Sequence, residues 1–91
     1  MNIEVRKIST NERNAKGVSN WEQESMEKSE FSHFSEHAES FYILKGSARI
    51  SSEHGQVEIE KNDYVVIPKG MECRWEVHEN TIYHHHKDDA A

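Results

Sequence analysis
The chain has a single leucine, Leu44, against thirteen isoleucines and valines. β-Branched side chains lose rotamer freedom in helices and pack well on pleated sheets, so this imbalance argues against a helical bundle. There is one cysteine, Cys73, which permits no internal disulfide and agrees with a reducing compartment. No apolar run reaches the length of a secretory leader or a membrane span, so a soluble, cytoplasmic protein is expected. Basic residues are also scarce: eleven lysines and arginines face seventeen acidic residues, for a formal charge of −6. Such a surface repels a phosphate backbone and releases none of its counterions, which argues against nucleic acid and anionic membrane as partners. Phosphate-cradling glycine patterns and the strand-to-helix nucleophile turn of hydrolases are missing too.

What remains is the composition of a small all-β domain. Ninety-one residues make one domain, 1–91, and with 34% hydrophobic and 31% charged residues its core is thin. A homodimer is expected, because pairing buries more surface than the monomer can. Ile3, Val5 and Ile8 suggest an edge strand, Ser9 to Ser19 reads as a polar loop, and Trp21 to Lys28 as a short helical turn capped by Ser19 or Asn20. Residues 1–29 are thus an N-terminal strand and wrapping segment, and 87–91 a mobile tail. From Glu30 onward, runs of four to seven residues alternate with turn signals at Ser35–Ala38, Lys45-Gly46, Glu53-His54-Gly55, Lys61-Asn62-Asp63, Pro68-Lys69-Gly70 and Glu79-Asn80. That spacing predicts a sandwich or barrel of short strands.

Alternate residues of a strand share a face. Glu39, Phe41 and Ile43 therefore share one face and Tyr42 and Leu44 the other, both partly apolar, so that strand is covered on both sides. Val57/Ile59, Val65/Ile67 and Cys73/Trp75/Val77 form inward sets, with Ile82/His84/His86 as a further one. An inward face holding Glu39, Cys73 and Trp75 is a pocket and not a plain core. His37 falls in the expected Ser35–Ala38 hairpin and reads as an exposed turn residue.

Two stretches carry a family signature. The first runs His33-Phe34-Ser35-Glu36-His37-Ala38-Glu39-Ser40-Phe41-Tyr42-Ile43-Leu44-Lys45-Gly46, the second Asn62-Asp63-Tyr64-Val65-Val66-Ile67-Pro68-Lys69-Gly70-Met71-Glu72-Cys73. Together they resemble the two motifs of the cupins, the RmlC-like jelly-roll superfamily, in register at His33, Ser35, Glu39 and Gly46 and at Asn62, Pro68, Gly70 and Cys73. Glu39 to Gly46 with Pro68 to Val77, including Cys73-Arg74-Trp75, is similar to the small single-domain branch related to ureidoglycine aminohydrolase.

The resemblance implies one all-β cupin barrel, a double-stranded β-helix or jelly roll. Its inward pocket, for a small polar ligand, would hold His33, Ser35, Glu39, Phe41, Cys73, Trp75 and His84. It also implies a metal position that has changed at two of its four ligands: Ser35 is a weak neutral donor, and Cys73 a thiol that must ionise first. His33, Glu39, Cys73 and His84 are the candidate ligands, for zinc, iron or manganese if the site is retained. No tightly bound ion is expected, since burial and the charge of Glu39 both hold the thiol protonated.

Three readings follow. The preferred one is a small-molecule-binding cupin with a degenerate metal site. The second is a metal-dependent enzyme on a small polar substrate, like ureidoglycine aminohydrolase or otherwise. The third is a structural or regulatory dimer with a vestigial pocket.

Overall fold
The computed structural model describes residues 2–88 and builds them into two antiparallel sheets. The strands are β1 (Glu4–Lys7), β2 (Glu22–Met26), β3 (Ser29–Phe34), β4 (Ala38–Lys45), β5 (Ser47–Ser52), β6 (Gly55–Glu60), β7 (Asp63–Ile67), β8 (Glu72–Val77) and β9 (Thr81–Asp88). One sheet has the order β1-β7-β4-β9-β2, the other β3-β8-β5-β6. The inner faces enclose the main core of Phe41, Ile43, Ala48, Ile50, Ile59, Val65, Ile67, Met71, Cys73, Trp75, Val77 and Tyr83. This is an all-β barrel of short strands, as the turn spacing predicts, in the jelly-roll form that the cupin resemblance implies.

The outer face of the five-stranded sheet is covered as well, by the N-terminal segment. Val18, Tyr42 and Tyr64 form a second apolar cluster there, flanked by Ile8, Trp21, Leu44 and Val66. The segment departs from the sequence reading in two places. Ser9 to Ser19 is not a loop: Thr10–Lys16 is a helix, α1, followed by a single 3-10 turn over Val18–Asn20. The Ser9 hydroxyl accepts from the Glu12 amide, and Gly17 closes the helix in the left-handed region. Ser-x-x-Glu followed by a glycine was the available signal. Conversely, Glu22 to Met26 is no helical turn but an edge strand on β9, with Glu24 opposite Tyr83. Its helix-forming residues yield to the backbone ladder that β9 offers, an override of local propensity by tertiary pairing.

Chain crossings between the sheets set the site. β3 and β4 lie in different sheets, so Ser35 to His37 is a crossing and not the predicted hairpin. It is tied down by the second motif: the Ser35 amide donates to the Met71 carbonyl (3.0 Å) and the Gly70 amide to the Ser35 carbonyl (2.7 Å). β9 carries Lys87 and Asp88, assigned above to a tail; the rest of that tail lies outside the described residues.

Candidate functional site
Residues from both motifs meet at the same end of the barrel, between β3, β4, β8 and β9. Glu39 stands on β4 with its side chain 3% exposed. Its two carboxylate oxygens go to two different imidazoles: Oε2 lies 2.7 Å from His33 Nε2 and Oε1 lies 2.8 Å from His85 Nε2. His85 in turn places Nδ1 3.1 Å from Glu24 Oε1 on β2. A continuous chain thus runs Glu24–His85–Glu39–His33. Burial alone would push the Glu39 carboxyl up, but the hydrogen bonds from His33 first and then from His85 hold the group below its ordinary value. An ionised carboxylate is acceptor-only, so both imidazole Nε2 atoms carry their protons.

Beside this chain lies a cavity of about 200 Å³, whose walls include Phe31, Phe41, Trp75 and Tyr83, with Glu24 and Lys87 also lining it. Phe41 stacks flat on His85, with centroids 4.5 Å apart, and meets Trp75 edge-on at 5.4 Å. Phe31 lies parallel to Trp75 at 5.9 Å. Two buried polar atoms have no hydrogen-bond partner, Ser35 Oγ and Trp75 Nε1.

The structure brings His33, Glu39, Phe41 and Trp75 to the wall of this cavity, sets Ser35 and Cys73 close to Glu39 but off that wall, and leaves His84 out. His84 faces the other side of β9, where its Nδ1 donates to the Trp21 carbonyl. The inward set of β9 is therefore Tyr83 and His85, opposite in phase to the predicted Ile82/His84/His86. The register explains it: Phe41, an inward residue, pairs directly with His85, and a one-residue slip exchanges the faces of a whole strand. Among three consecutive histidines, only that pairing distinguishes the one that faces inward. His37 is exposed in the crossing.

Burial and then the charge of Glu39 push the Cys73 thiol up from its ordinary value. Burial, Glu24 and Glu39 push the Tyr83 phenol up to about 12. Both groups have folded pKa values above their unfolded ones, so their contribution to stability is intact below pH 9 and is lost as pH rises through the folded values. Glu39 is depressed, so its contribution is present above the ordinary carboxylate value of 4.5 and is lost as pH falls toward the folded value. Urea midpoints measured from pH 3 to pH 11, on the order of steps of one unit, are expected to give a plateau between these limits. Tyr83→Phe should flatten part of the alkaline fall, and an unchanged alkaline limb would contradict the assignment.

A jelly-roll barrel with a polar, aromatic-walled pocket at one end defines the class as a cupin. The EutQ-like cupin domain matches residues 13–85, and the chain belongs to that family. It is similar in structure to a DUF861 family protein from Thermotoga maritima, 32% identical over 96% of this chain and 100% of that one, with a TM-score of 0.92. A protein of unknown function (DUF1255) from Acidithiobacillus ferrooxidans is 28% identical over 69% of this chain and 61% of that one, with a TM-score of 0.66. The EutQ protein of Clostridium difficile, 17% identical over 91% of this chain and 64% of that one at a TM-score of 0.65, shares the fold. No curated protein matches the chain.

The cupin fold implies a divalent metal on converging imidazoles and a carboxylate, and the residues here do not fit one. The Nε2 atoms of His33 and His85 are spent on Glu39, Ser35 is a neutral hydroxyl, and the Cys73 thiol is held protonated. Among the described residues, no group of three or more histidine, cysteine, aspartate or glutamate side chains is placed to hold an ion. Nor is any described helix long and apolar enough to cross a membrane.

Proposed function
We propose that this protein binds a small polar molecule in the barrel cavity, in a pocket ordered by hydrogen bonds in place of a metal. The observation that carries the reading is the doubly engaged Glu39, whose two oxygens hold His33 and His85 in fixed orientation beside an aromatic-walled space. A cavity of this kind, mostly apolar with a few convergent polar groups, is the usual form of a small-ligand site. Trp75, which lines the cavity, also carries a buried N–H without an acceptor, at a cost of about 1–3 kcal/mol. The resemblance of the two motifs to the branch related to ureidoglycine aminohydrolase is in keeping with a polar ligand but not with that enzyme's chemistry, since Ser35 and Cys73 stand where imidazoles would.

A thermal-shift screen with ureides, sugars and small acids tests the reading. A ligand present at about a hundred times its dissociation constant stabilises the native state by about 2.7 kcal/mol, which for a domain of this size raises the midpoint by roughly 10–20 °C. The expected hit loses its shift in Glu39→Ala. If no compound raises the midpoint, the vestigial pocket of a structural dimer becomes the better account.

A further inference from the structure
We propose a second binding site, on the outer face of the five-stranded sheet, that takes a phosphate group through Arg13. It lies on the opposite side of β4 from the barrel cavity and is independent of ligand binding there.

The site is a cavity of about 280 Å³ between the N-terminal segment and the sheet, lined by Lys7, Ile8, Thr10, Arg13, Tyr42 and Asn62. Its cation is held in place. Arg13 stands on α1 with its guanidinium 5.4 Å from the centre of the Tyr42 ring, and its Nη1 donates to the Tyr42 hydroxyl at 3.2 Å. Stacking on an aromatic face together with a hydrogen bond at the rim orients a guanidinium before any ligand arrives. α1 buries no residue in the core; what it contributes here is the placement of Arg13 over Tyr42.

The charge on Arg13 is also unanswered. Arg6 pairs with Glu4 and Glu12, Lys16 with Glu12, and Lys7 with Asp63 and Glu60. Among the described residues, Arg13 alone of these four cations forms no ion pair. Lys7 adds positive charge to the wall, offset by Asp63 at 2.9 Å.

The hydrogen-bond inventory of the wall gives the chemistry of the ligand. The Tyr42 hydroxyl accepts from Arg13 and donates to Asn62 Oδ1 at 3.2 Å, so the side-chain acceptor of Asn62 is engaged and its NH₂ is left over. A guanidinium has five N–H groups, and this bond uses one of them. The Thr10 hydroxyl is a further donor, and no carboxylate lines the cavity. A cation with surplus donors and no carboxylate beside it selects an oxyanion. Arginine engages phosphate through two parallel N–H bonds. A tetrahedral phosphate keeps further oxygens out of that plane for Asn62 and Thr10, where a planar carboxylate has none. The volume corresponds to roughly nine waters at about 30 Å³ each, room for a phosphate carrying a short organic group against Ile8. A formal charge of −6 opposes the approach of any anion, so a Kd on the order of 1 mM is expected.

Inorganic phosphate is the probe, titrated into tag-free, isotope-labelled protein at fixed pH and ionic strength and followed by NMR. Saturable shifts are expected at the Arg13 and Asn62 side chains, with His33 and His85 unmoved. Arg13→Met keeps an aliphatic stem over Tyr42 and removes the charged fork; it should weaken binding about tenfold or more, the scale of a hydrogen bond to a charged group. Asn62→Asp keeps an oxygen for Tyr42, tolerates the φ of +74° at that turn, and sets a negative charge on the wall. It should weaken binding to a similar extent, and it decides the matter if Arg13→Met does not fold. Absence of saturation in the wild type, or equal affinity in the wild type and either variant, overturns the proposal. So do shifts centred on His33 and His85, which would place the anion in the barrel cavity. Acetate bound as tightly as phosphate overturns the assignment to phosphate. Glycerol phosphate bound more tightly than inorganic phosphate, with the same loss in Arg13→Met, assigns the site to a phosphate monoester; the reverse order assigns it to the free ion.

Discussion
Gly46→Ala should be among the most damaging single substitutions in the barrel. Gly46 has φ of +103°, and it makes the crossing from β4 to β5 against the start of β9. A Cβ there would lie 2.7 Å from the Asn80 carbonyl oxygen and 2.7 Å from Thr81 Cα, and would also strike Thr81 Oγ1. Two of those atoms are backbone and cannot swing aside. Forced backbone geometry costs on the order of 1–3 kcal/mol, and the collision brings the total to about 3–4 kcal/mol. For a domain of this size that lowers the melting midpoint by roughly 15–30 °C. Gly55→Ala is the control: φ is +133° there, but nothing lies within 4 Å of the added Cβ. It should cost about 1 kcal/mol from torsion alone. Equal losses in the two variants would show that the close approach at Thr81 does not matter.

Trp75→Ala is expected to cost about 3–5 kcal/mol, the range for deleting a buried aromatic side chain. Trp75 is 2% exposed and joins the core to the cavity wall, with Phe41 on one side and Phe31 on the other. Its loss merges the cavity with a void in the core, so ligand-induced stabilisation should vanish along with the folding energy. Trp75→Phe separates the two effects. It keeps an aromatic surface and removes the N–H that has no acceptor, so its stability cost should be about half that of alanine. Ligand binding should still weaken, because the donor is gone. Equilibrium denaturation and a ligand titration on both variants check this; full ligand affinity in Trp75→Phe would remove Trp75 from the recognition set.

Most of the barrel could be read from residue order because its strands alternate cleanly and its turns carry glycine, asparagine or proline. Cys73, Trp75 and Val77 face inward as parity requires, and Glu39 shares the face of Phe41 and Ile43. The N-terminal segment misleads for opposite reasons in its two halves. Around Ser9 the helix signal lies in caps and not in an apolar stripe, since α1 buries no residue. Around Glu24, helix-forming residues are drawn into a strand by the free edge of β9. His85 was out of reach of local reasoning: His84, His85 and His86 are chemically identical, and which one faces inward depends on a register set some forty residues earlier, at Phe41. Glu24 was hidden for the same reason, because its role exists only once β2 pairs with β9.

The central claim is that Glu39 joins His33 and His85 directly, leaving no metal between them. Elemental analysis of tag-free protein, purified without nickel resin and before any chelator, tests it most directly. The account predicts zinc, iron, manganese and nickel all far below one ion per chain, with ligand-induced stabilisation intact in that same preparation. One tightly held ion per chain, lost in Glu39→Gln or His85→Gln, would contradict it.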